Sequence, residues 1–365
     1  MFEIRGKINT AVCFAKVIDN EAISQIMRMC NTEMTRGSRI RIMPDVHAGK
    51  GCTIGTTMTI LDKAVPNVVG SDIGCGMYTV RLGKVDIDFG KVDEACHIIP
   101  SGFSVWNKVM WQFDFSDLKC YKELKDINKL GLSLGTLGGG NHFIEIDEAE
   151  DGTKYLVIHS GSRTLGKQVA EHYQNLAIEL NRNNEEVRIP DDLSYLWGSH
   201  LDDYLHDVAI CQQFARLSRE KMAEVILGHT GLEAQDAFHT VHNYIDTDEM
   251  ILRKGAIAAH EGELVLIPIN MRDGSILATG KGNPEWNYSA PHGAGRIMSR
   301  SEAKELIDLE DYKKAMEGIY TTSIKTSTID ESPMAYKSLE DIIDVVEESV
   351  EIIEVLKPIF NFKAS

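Results

Sequence analysis

The chain has no CxxC pair, no run of about 18 or more apolar residues, and no net positive charge. Each absence excludes something. Its seven cysteines (Cys13, Cys30, Cys52, Cys75, Cys96, Cys120 and Cys211) are odd in number and widely scattered. That spacing speaks against a disulfide framework and leaves a lone thiol available to a metal. Without a long apolar run no membrane span is expected. Residues 1–20 carry charges throughout and lack the apolar centre of a secretory leader, so a cytoplasmic location is the expectation. The formal charge of −17 at pH 7 argues against a protein that coats nucleic acid non-specifically, which requires a net basic surface. It does not argue against an enzyme of nucleic-acid ends. Screening confines exposed charge effects to about 8 Å at physiological salt, and much of the acid falls in residues 302–317 and 340–354.

Internal repeats, low-complexity tracts and Pro/Ser-rich linkers are also missing. What is present, over 365 residues with 43% hydrophobic and 25% charged side chains, is the composition of a globular protein. Short apolar runs broken by glycine predict strands at 52–61, 67–69, 77–82, 155–158, 264–268 and 275–279. Helical spacing predicts helices at 167–180 and 201–227, the latter with a stripe of Leu205, Val208, Cys211, Phe214, Ala215 and Leu217. Further helical stretches are expected at 301–319 and 338–356. A partly helical cap is expected within about 103–130. The expectation is an α+β (mixed α/β) fold: one large domain over 1–365, with central β-sheets, flanking helices and glycine-rich loops that carry the polar clusters.

Five histidines sit in segments dense in glycine and polar residues: Met43-Pro-Asp-Val-His47, Gly138-Gly-Gly-Asn-His142, His159-Ser-Gly-Ser-Arg163, His242-Asn243 and His292-Gly-Ala-Gly-Arg296. A sixth segment, Gly70-Ser-Asp-Ile-Gly-Cys-Gly76, places Asp72 and Cys75 three residues apart. Glycine beside a ligand lets backbone approach a bound group. A His/Asp/Cys set suits Mn²⁺ or Zn²⁺ better than Mg²⁺, which prefers oxygen. Arginine forks match phosphate oxygens, and Arg163, Lys167, Arg253, Lys254, Arg296 and Arg300 lie near the clusters. Arg163 is the most persuasive, because a Ser-Gly-Ser turn also offers backbone N–H groups to an anion. Taken singly, each segment has a plain structural alternative: a tight turn, a buried strand end, a small hydrophobic thiol. His97, His172, His200, His206, His229 and His239 have no glycine companions and read as structural. Together the clusters suggest phosphoryl or nucleotidyl transfer.

These motifs, in this order, resemble the RtcB family of RNA ligases from about Asn9 to the C-terminus. Gly138-Gly-Gly-Asn-His-Phe-Ile-Glu145, Arg253-Lys-Gly-Ala256, Ala335-Tyr-Lys337 and Lys363 extend the match. The resemblance implies that His292 is a nucleophile that takes GMP from GTP. It implies that Asp72, Cys75, His142, His159 and His242 ligate two Mn²⁺ ions, with the Cys75 thiolate bridging. Asn141 and Asn243 would contact the nucleotide phosphates, with Gly293, Ala294, Gly295 and Arg296 around the nucleotide. Glu145, Tyr336 and Lys363 would lie near guanine or ribose. Asp45 belongs to the essential early motif, and Arg163 would bind the RNA terminal phosphate. The implied partner is RNA with broken ends, such as tRNA or rRNA fragments, handled by a monomer or homodimer, with an accessory activator as a further expectation. The chain departs from the family at Ile267-Pro-Ile-Asn-Met-Arg-Asp-Gly-Ser275, where a Gly-Ser-Met-Gly type of loop is expected. That loop bears on nucleotide preference. The short form resembles a paralogous subgroup associated with RNA repair rather than tRNA splicing. Two other readings use the same residues: a binuclear metal-dependent phosphodiesterase or cyclic phosphate hydrolase without a nucleotide cofactor, and a binding protein without turnover. Only the ligase needs His292 as a nucleophile.

Overall fold

The computed structural model describes residues 1–49, 51–182 and 189–363; Lys50, within the early motif, lies outside them. Two sheets dominate. A six-stranded sheet runs in the order Phe2–Arg5, Thr10–Cys13, Ile40–His47, Ile54–Thr59, Ile251–Lys254, Asn243–Asp246. A seven-stranded sheet runs Asp236–Val241, Gly76–Gly83, Lys154–Ser160, Phe143–Glu148, Val350–Lys363, Gly274–Gly280, Leu264–Asn270. Neighbouring strands are antiparallel apart from Thr10–Cys13 beside Ile40–His47. This is the expected α+β arrangement.

The second sheet buries one face against the helices Phe89–Ile98 and Gly198–Thr230. Val80, Leu156, Ile158 and Ile144 meet Val92, Cys96, Met222 and Ile226 there, all essentially inaccessible. The alternation of strand side chains makes this possible, since every second residue faces one side. The stripe of the long helix is buried at Val208, Cys211, Phe214 and Ala215, while Leu205 and Leu217 are half-buried at its margins. Each fully buried large apolar side chain contributes about 1.5–3 kcal/mol relative to exposure, so this helix is held chiefly by its packing. Its C-terminus stops at Gly231, whose φ of 76° is the left-handed conformation that ends many helices.

Three expectations are corrected. Residues 67–69 form a short helix, Pro66–Val69, because Pro66 at its first position supplies a fixed φ and needs no N–H partner. Residues 301–319 hold two helices, Arg300–Leu306 and Leu309–Ala315, each with its own serine or aspartate N-cap. The stretch 338–356 splits into the helix Leu339–Val346 and the first half of the strand Val350–Lys363. Within 103–130 the regular structure is one 3-10 turn, Tyr121–Glu123, and the start of the helix Ile127–Leu132.

Candidate functional site

The register of the seven-stranded sheet gathers the polar clusters at one end of it. Val241 pairs with Gly76, Gly76 with Ser160, Met77 with His159, His159 with Phe143, and Phe143 with Lys363. Cys75, His142 and His242 each stand one residue outside these paired positions. Five strand ends therefore bring Cys75, His142, His159, His242 and Lys363 together, although they span almost 290 residues of sequence (363 − 75 = 288). His242 is also the only residue between strand Asp236–Val241 of one sheet and strand Asn243–Asp246 of the other.

The donor atoms form two groups that share Cys75: Asp72, Cys75 and His142, and Cys75, His159 and His242. In each group the donors lie within 4.8 Å of one another. Cys75 Sγ is 3.5 Å from His142 Nε2 and 3.3 Å from His159 Nε2, and His159 Nε2 is 3.3 Å from His242 Nε2. Backbone carbonyls orient two rings. His142 Nδ1 donates to Leu137 O at 2.8 Å and His159 Nδ1 donates to Asn141 O at 3.1 Å, so His159 Nε2 turns a lone pair inward while His142 Nε2 meets Asp72 Oδ2 at 3.1 Å. Burial, with neighbouring imidazoles, holds His159 well below the ordinary histidine range. Burial and the neighbouring His292 do the same to His242. Both imidazoles are therefore in the neutral form that binds metals. Burial alone would raise Asp72, but its hydrogen bond to His142, the charge there and the nearby Cys75 and Arg163 bring it down to about 2. Burial and Asp72 push the Cys75 thiol well above its usual value; a coordinating cation reverses that, because it deprotonates a bound thiol outright. Converging lone pairs, a carboxylate and a thiol, with backbone-anchored imidazoles behind them, fit a pair of borderline divalent cations. Gly161 permits the arrangement, since a Cβ there would sit 2.0 Å from Asp72 Oδ1.

A cavity of about 370 Å³ opens over this cluster. On its wall His292 follows strand Ser289–Pro291. His292 Nδ1 donates to Asp45 Oδ2 at 2.7 Å, and the His292 backbone N–H reaches the same oxygen at 3.3 Å. Asp45 is wholly buried in strand Ile40–His47. The carboxylate thus fixes the ring and its tautomer, leaving Nε2 with a lone pair. The His292 and His242 ring centres are 5.0 Å apart.

Gly293, Ala294, Gly295, Arg296, Asn141, Glu145, Asn243, Tyr336 and Lys363 all line the cavity. So do Pro268, Ile269, Asn270 and Met271 of the altered segment, which is the turn end of the hairpin Leu264–Asn270/Gly274–Gly280. Two further lining residues, Glu331 and Asn361, and the neighbouring Asp147 had no glycine-rich context to mark them. Glu331 lies 3.0 Å from both Lys363 Nζ and Arg300 Nη2, and it accepts from Tyr336 Oη at 2.7 Å. Burial would raise Glu331, but Lys363, Arg300 and Tyr336 outweigh it and lower it. Asn361 Nδ2 donates to Glu145 Oε2 at 2.5 Å. Asp147, wholly buried on the same strand face as Glu145, is pushed well above the carboxylate range by burial and then by Glu145.

Arg163 does not line the cavity; it begins helix Arg163–Arg182, near Asp72 and Cys75. Its Nη2 donates to Gly102 O at 2.8 Å, and the guanidinium lies so close over Gly138 that a Cβ there would be 1.6 Å from Nη1. Other cations lie elsewhere. Arg253 turns away to Ser289, Tyr244 and Asn287, Lys254 donates to Asn67 O, and Lys167 is exposed beside Glu171. His97, His206, His229 and His239 face Asp93, Asp117, Glu94 and Glu220, outside the cavity.

Comparison with known proteins agrees with this geometry. The family profile described as "tRNA-splicing ligase RtcB" matches residues 25–113 and 116–364. The chain is 32% identical over 369 residues to "RNA-splicing ligase RtcB" of Escherichia coli K12, covering 89% of this chain and 90% of that protein. It is 28% identical to "tRNA-splicing ligase RtcB" of Aeropyrum pernix, covering 83% of each, and 28% identical to that of Nanoarchaeum equitans, covering 84% of each. Matched by this family profile over most of its length and 32% identical to one of these ligases across 89% of its residues, the chain belongs to the RtcB family of RNA ligases.

Proposed function

We propose that the protein joins RNA 3′-phosphate or 2′,3′-cyclic phosphate ends to 5′-hydroxyl ends, using GTP, two Mn²⁺ ions and a guanylyl-His292 intermediate. The observation that carries the reading is the His292–Asp45 pair. Asp45 holds the Nδ1 proton, so Nε2 attacks the α-phosphate of GTP and pyrophosphate leaves. The ring then carries positive charge, which the buried carboxylate offsets. This divides one hard transfer into two easier ones. A cyclic phosphate is first opened by water to the 3′-phosphate. The 3′-phosphate takes GMP from His292, the 5′-hydroxyl attacks the activated phosphorus, and GMP departs.

Asp72, Cys75, His142, His159 and His242 would hold the metals, whose chemistry is to polarise phosphate oxygens and offset developing charge. Asn141 and Asn243 lie beside that cluster, toward the nucleotide phosphates. Glu145, Tyr336 and Lys363 line the same cavity and would meet guanine or ribose, where a carboxylate accepting N–H groups suits guanine. Arg163 takes the RNA terminal phosphate. The domain acts as one unit over 1–365, on broken RNA in repair or tRNA splicing.

The test is incubation with Mn²⁺ and GTP labelled on the α-phosphate, followed by alkaline denaturation, because a phosphoramidate is acid-labile. Label is expected on the wild type and not on His292→Ala, and an ATP lane reads the effect of the altered segment 267–275. Opening of a cyclic-phosphate RNA with no label on the protein would replace the ligase reading with the hydrolase.

A further inference from the structure

The segment that holds Arg163 carries a ring that none of these steps uses. Phe103 has a relative exposure of 102%, the greatest of the exposed large apolar side chains among the described residues. Its backbone is nevertheless well anchored. Gly102 N–H donates to Gly138 O at 2.6 Å, Ser101 bridges to Gly138, and Gly102 O accepts from Arg163 Nη2. Phe103 thus leaves directly from the segment that holds Arg163, beside the loop that leads through Asn141 to His142.

Cations stand on neighbouring segments. Arg300, which lines the cavity, has Nη2 4.0 Å from where a Cβ of Gly140 would stand. The Arg300 side chain is 48% exposed, and Lys304, one turn further along the same helix, is 54% exposed. Lys167 lies one turn beyond Arg163, on the same face of its helix. Arg300 and Lys304 share Asp330, and Lys167 faces Glu171, but all three side chains stay about half or more exposed. A fully exposed ring on the segment that Arg163 holds has the chemistry of a single-stranded nucleic-acid contact, in which an aromatic face takes a base and cations follow the backbone.

We propose that Phe103 is the stacking platform for the base of the terminal nucleotide at the 3′-phosphate end of RNA. Arg163 holds that phosphate, and Arg300, Lys304 and Lys167 meet the backbone upstream. The inference rests on the reading of Arg163 as the terminal-phosphate ligand. Because any base offers a π-face, the platform grips the end without choosing its sequence, which suits an enzyme that meets varied breaks.

The experiment measures binding of a short RNA with a fluorescein-blocked 5′ end and a 3′-phosphate to the Mn²⁺-loaded protein, without GTP, by anisotropy. A second RNA is identical but abasic at the terminal nucleotide. Phe103→Ala is expected to weaken binding of the first RNA about 5- to 150-fold, Phe103→Trp to bind as wild type does, and the abasic RNA to bind wild type and Phe103→Ala alike. The proposal is overturned if Phe103→Ala binds both RNAs as wild type does, or loses the same factor with both. It is also overturned if the variant changes only the oligomeric state on size exclusion, which would assign the ring to a protein contact. Arg163→Ala separates the two readings. It is expected to erase the preference for a 3′-phosphate over a 3′-hydroxyl; if the preference survives, the assignment of Arg163 fails first, and the platform with it.

Discussion

Asp45 gives the sharpest test of the His292 chemistry, because two N–H groups converge on a single oxygen of it. Both the ring Nδ1 and the backbone N–H of His292 point at Oδ2. In Asp45→Asn the amide oxygen is expected to take that position, since the amide nitrogen would meet two donors. Orientation and tautomer then survive and only the charge is lost. A hydrogen bond to a charged group contributes about 1.5–3 kcal/mol, against about 0.5–1.5 for a neutral one. The transition state puts positive charge on the ring, so the loss falls on the rate, at one decade per 1.36 kcal/mol. The difference is about 1–1.5 kcal/mol, so guanylylation by Asp45→Asn should slow about 5- to 13-fold. Asp45→Ala removes orientation as well and frees the proton to move to Nε2. Breaking a buried charged pair costs about 3–5 kcal/mol, so its rate should fall about 10²- to 10⁴-fold. The assay is single-turnover transfer of α-labelled GTP to the protein with an alkaline quench, at matched bound Mn²⁺. A loss under about threefold in Asp45→Ala, less than the smallest factor worked above, would refute the role given to the carboxylate.

Three further outcomes follow from the geometry. Cys75 belongs to both donor groups, so Cys75→Ala should lose both bound metal ions by titration calorimetry while His142→Ala loses one; two ions retained in Cys75→Ala would exclude the shared thiolate. Asp147 keeps its proton in the folded state above the pH at which the unfolded chain releases it, so its contribution to stability is full below about pH 4 and declines as pH rises toward the raised folded value. The melting temperature of Asp147→Asn relative to wild type should therefore climb between about pH 4 and 8, and a gap that does not vary with pH would show that the proton is not held there. Gly138→Ala places a methyl group into Arg163 at a φ of 85°, a left-handed conformation that costs an L-residue about 1–2 kcal/mol. Its 3′-phosphate RNA binding should fall to the level of Arg163→Ala in the same anisotropy assay, and wild-type binding would mean the guanidinium is not fixed by that contact.

The glycine-punctuated motifs were legible in sequence because they sit at strand ends, where the chain must turn and polar atoms stay near solvent. Their meeting in one cavity is a matter of register: Gly76, Ser160, Phe143 and Lys363 align across neighbouring strands, and no local pattern encodes that. Glu331, Asn361 and Asp147 were illegible for the same reason. Asn361 faces Glu145 only because Val350–Lys363 pairs with Phe143–Glu148. The first half of that strand, 350–356, falls within the stretch expected as helix. Its pairing shifts between Leu277 and Ala278 on one side and between Pro358 and Phe360 on the other, so irregular pairing blurs the two-residue alternation that marks a strand. The helix Leu339–Val346 just before it extends the helical signal. Residues 67–69 were misread because the apolar pair Val68-Val69, close after a proline, suits a buried strand and a helical turn equally well.

The single residue between the two sheets sets a limit on how this chain can vary in length. Strand Asp236–Val241 ends in one sheet, strand Asn243–Asp246 begins in the other, and His242 alone spans the step. One inserted or deleted residue would reverse which face every later side chain of the second strand presents and would withdraw His242 from Cys75 in the same stroke. The step is therefore length-locked, whereas the exposed stretch 107–110, which runs outside both sheets, is free of such a constraint. Differences in size among homologues should accumulate in such outlying segments and vanish at position 242.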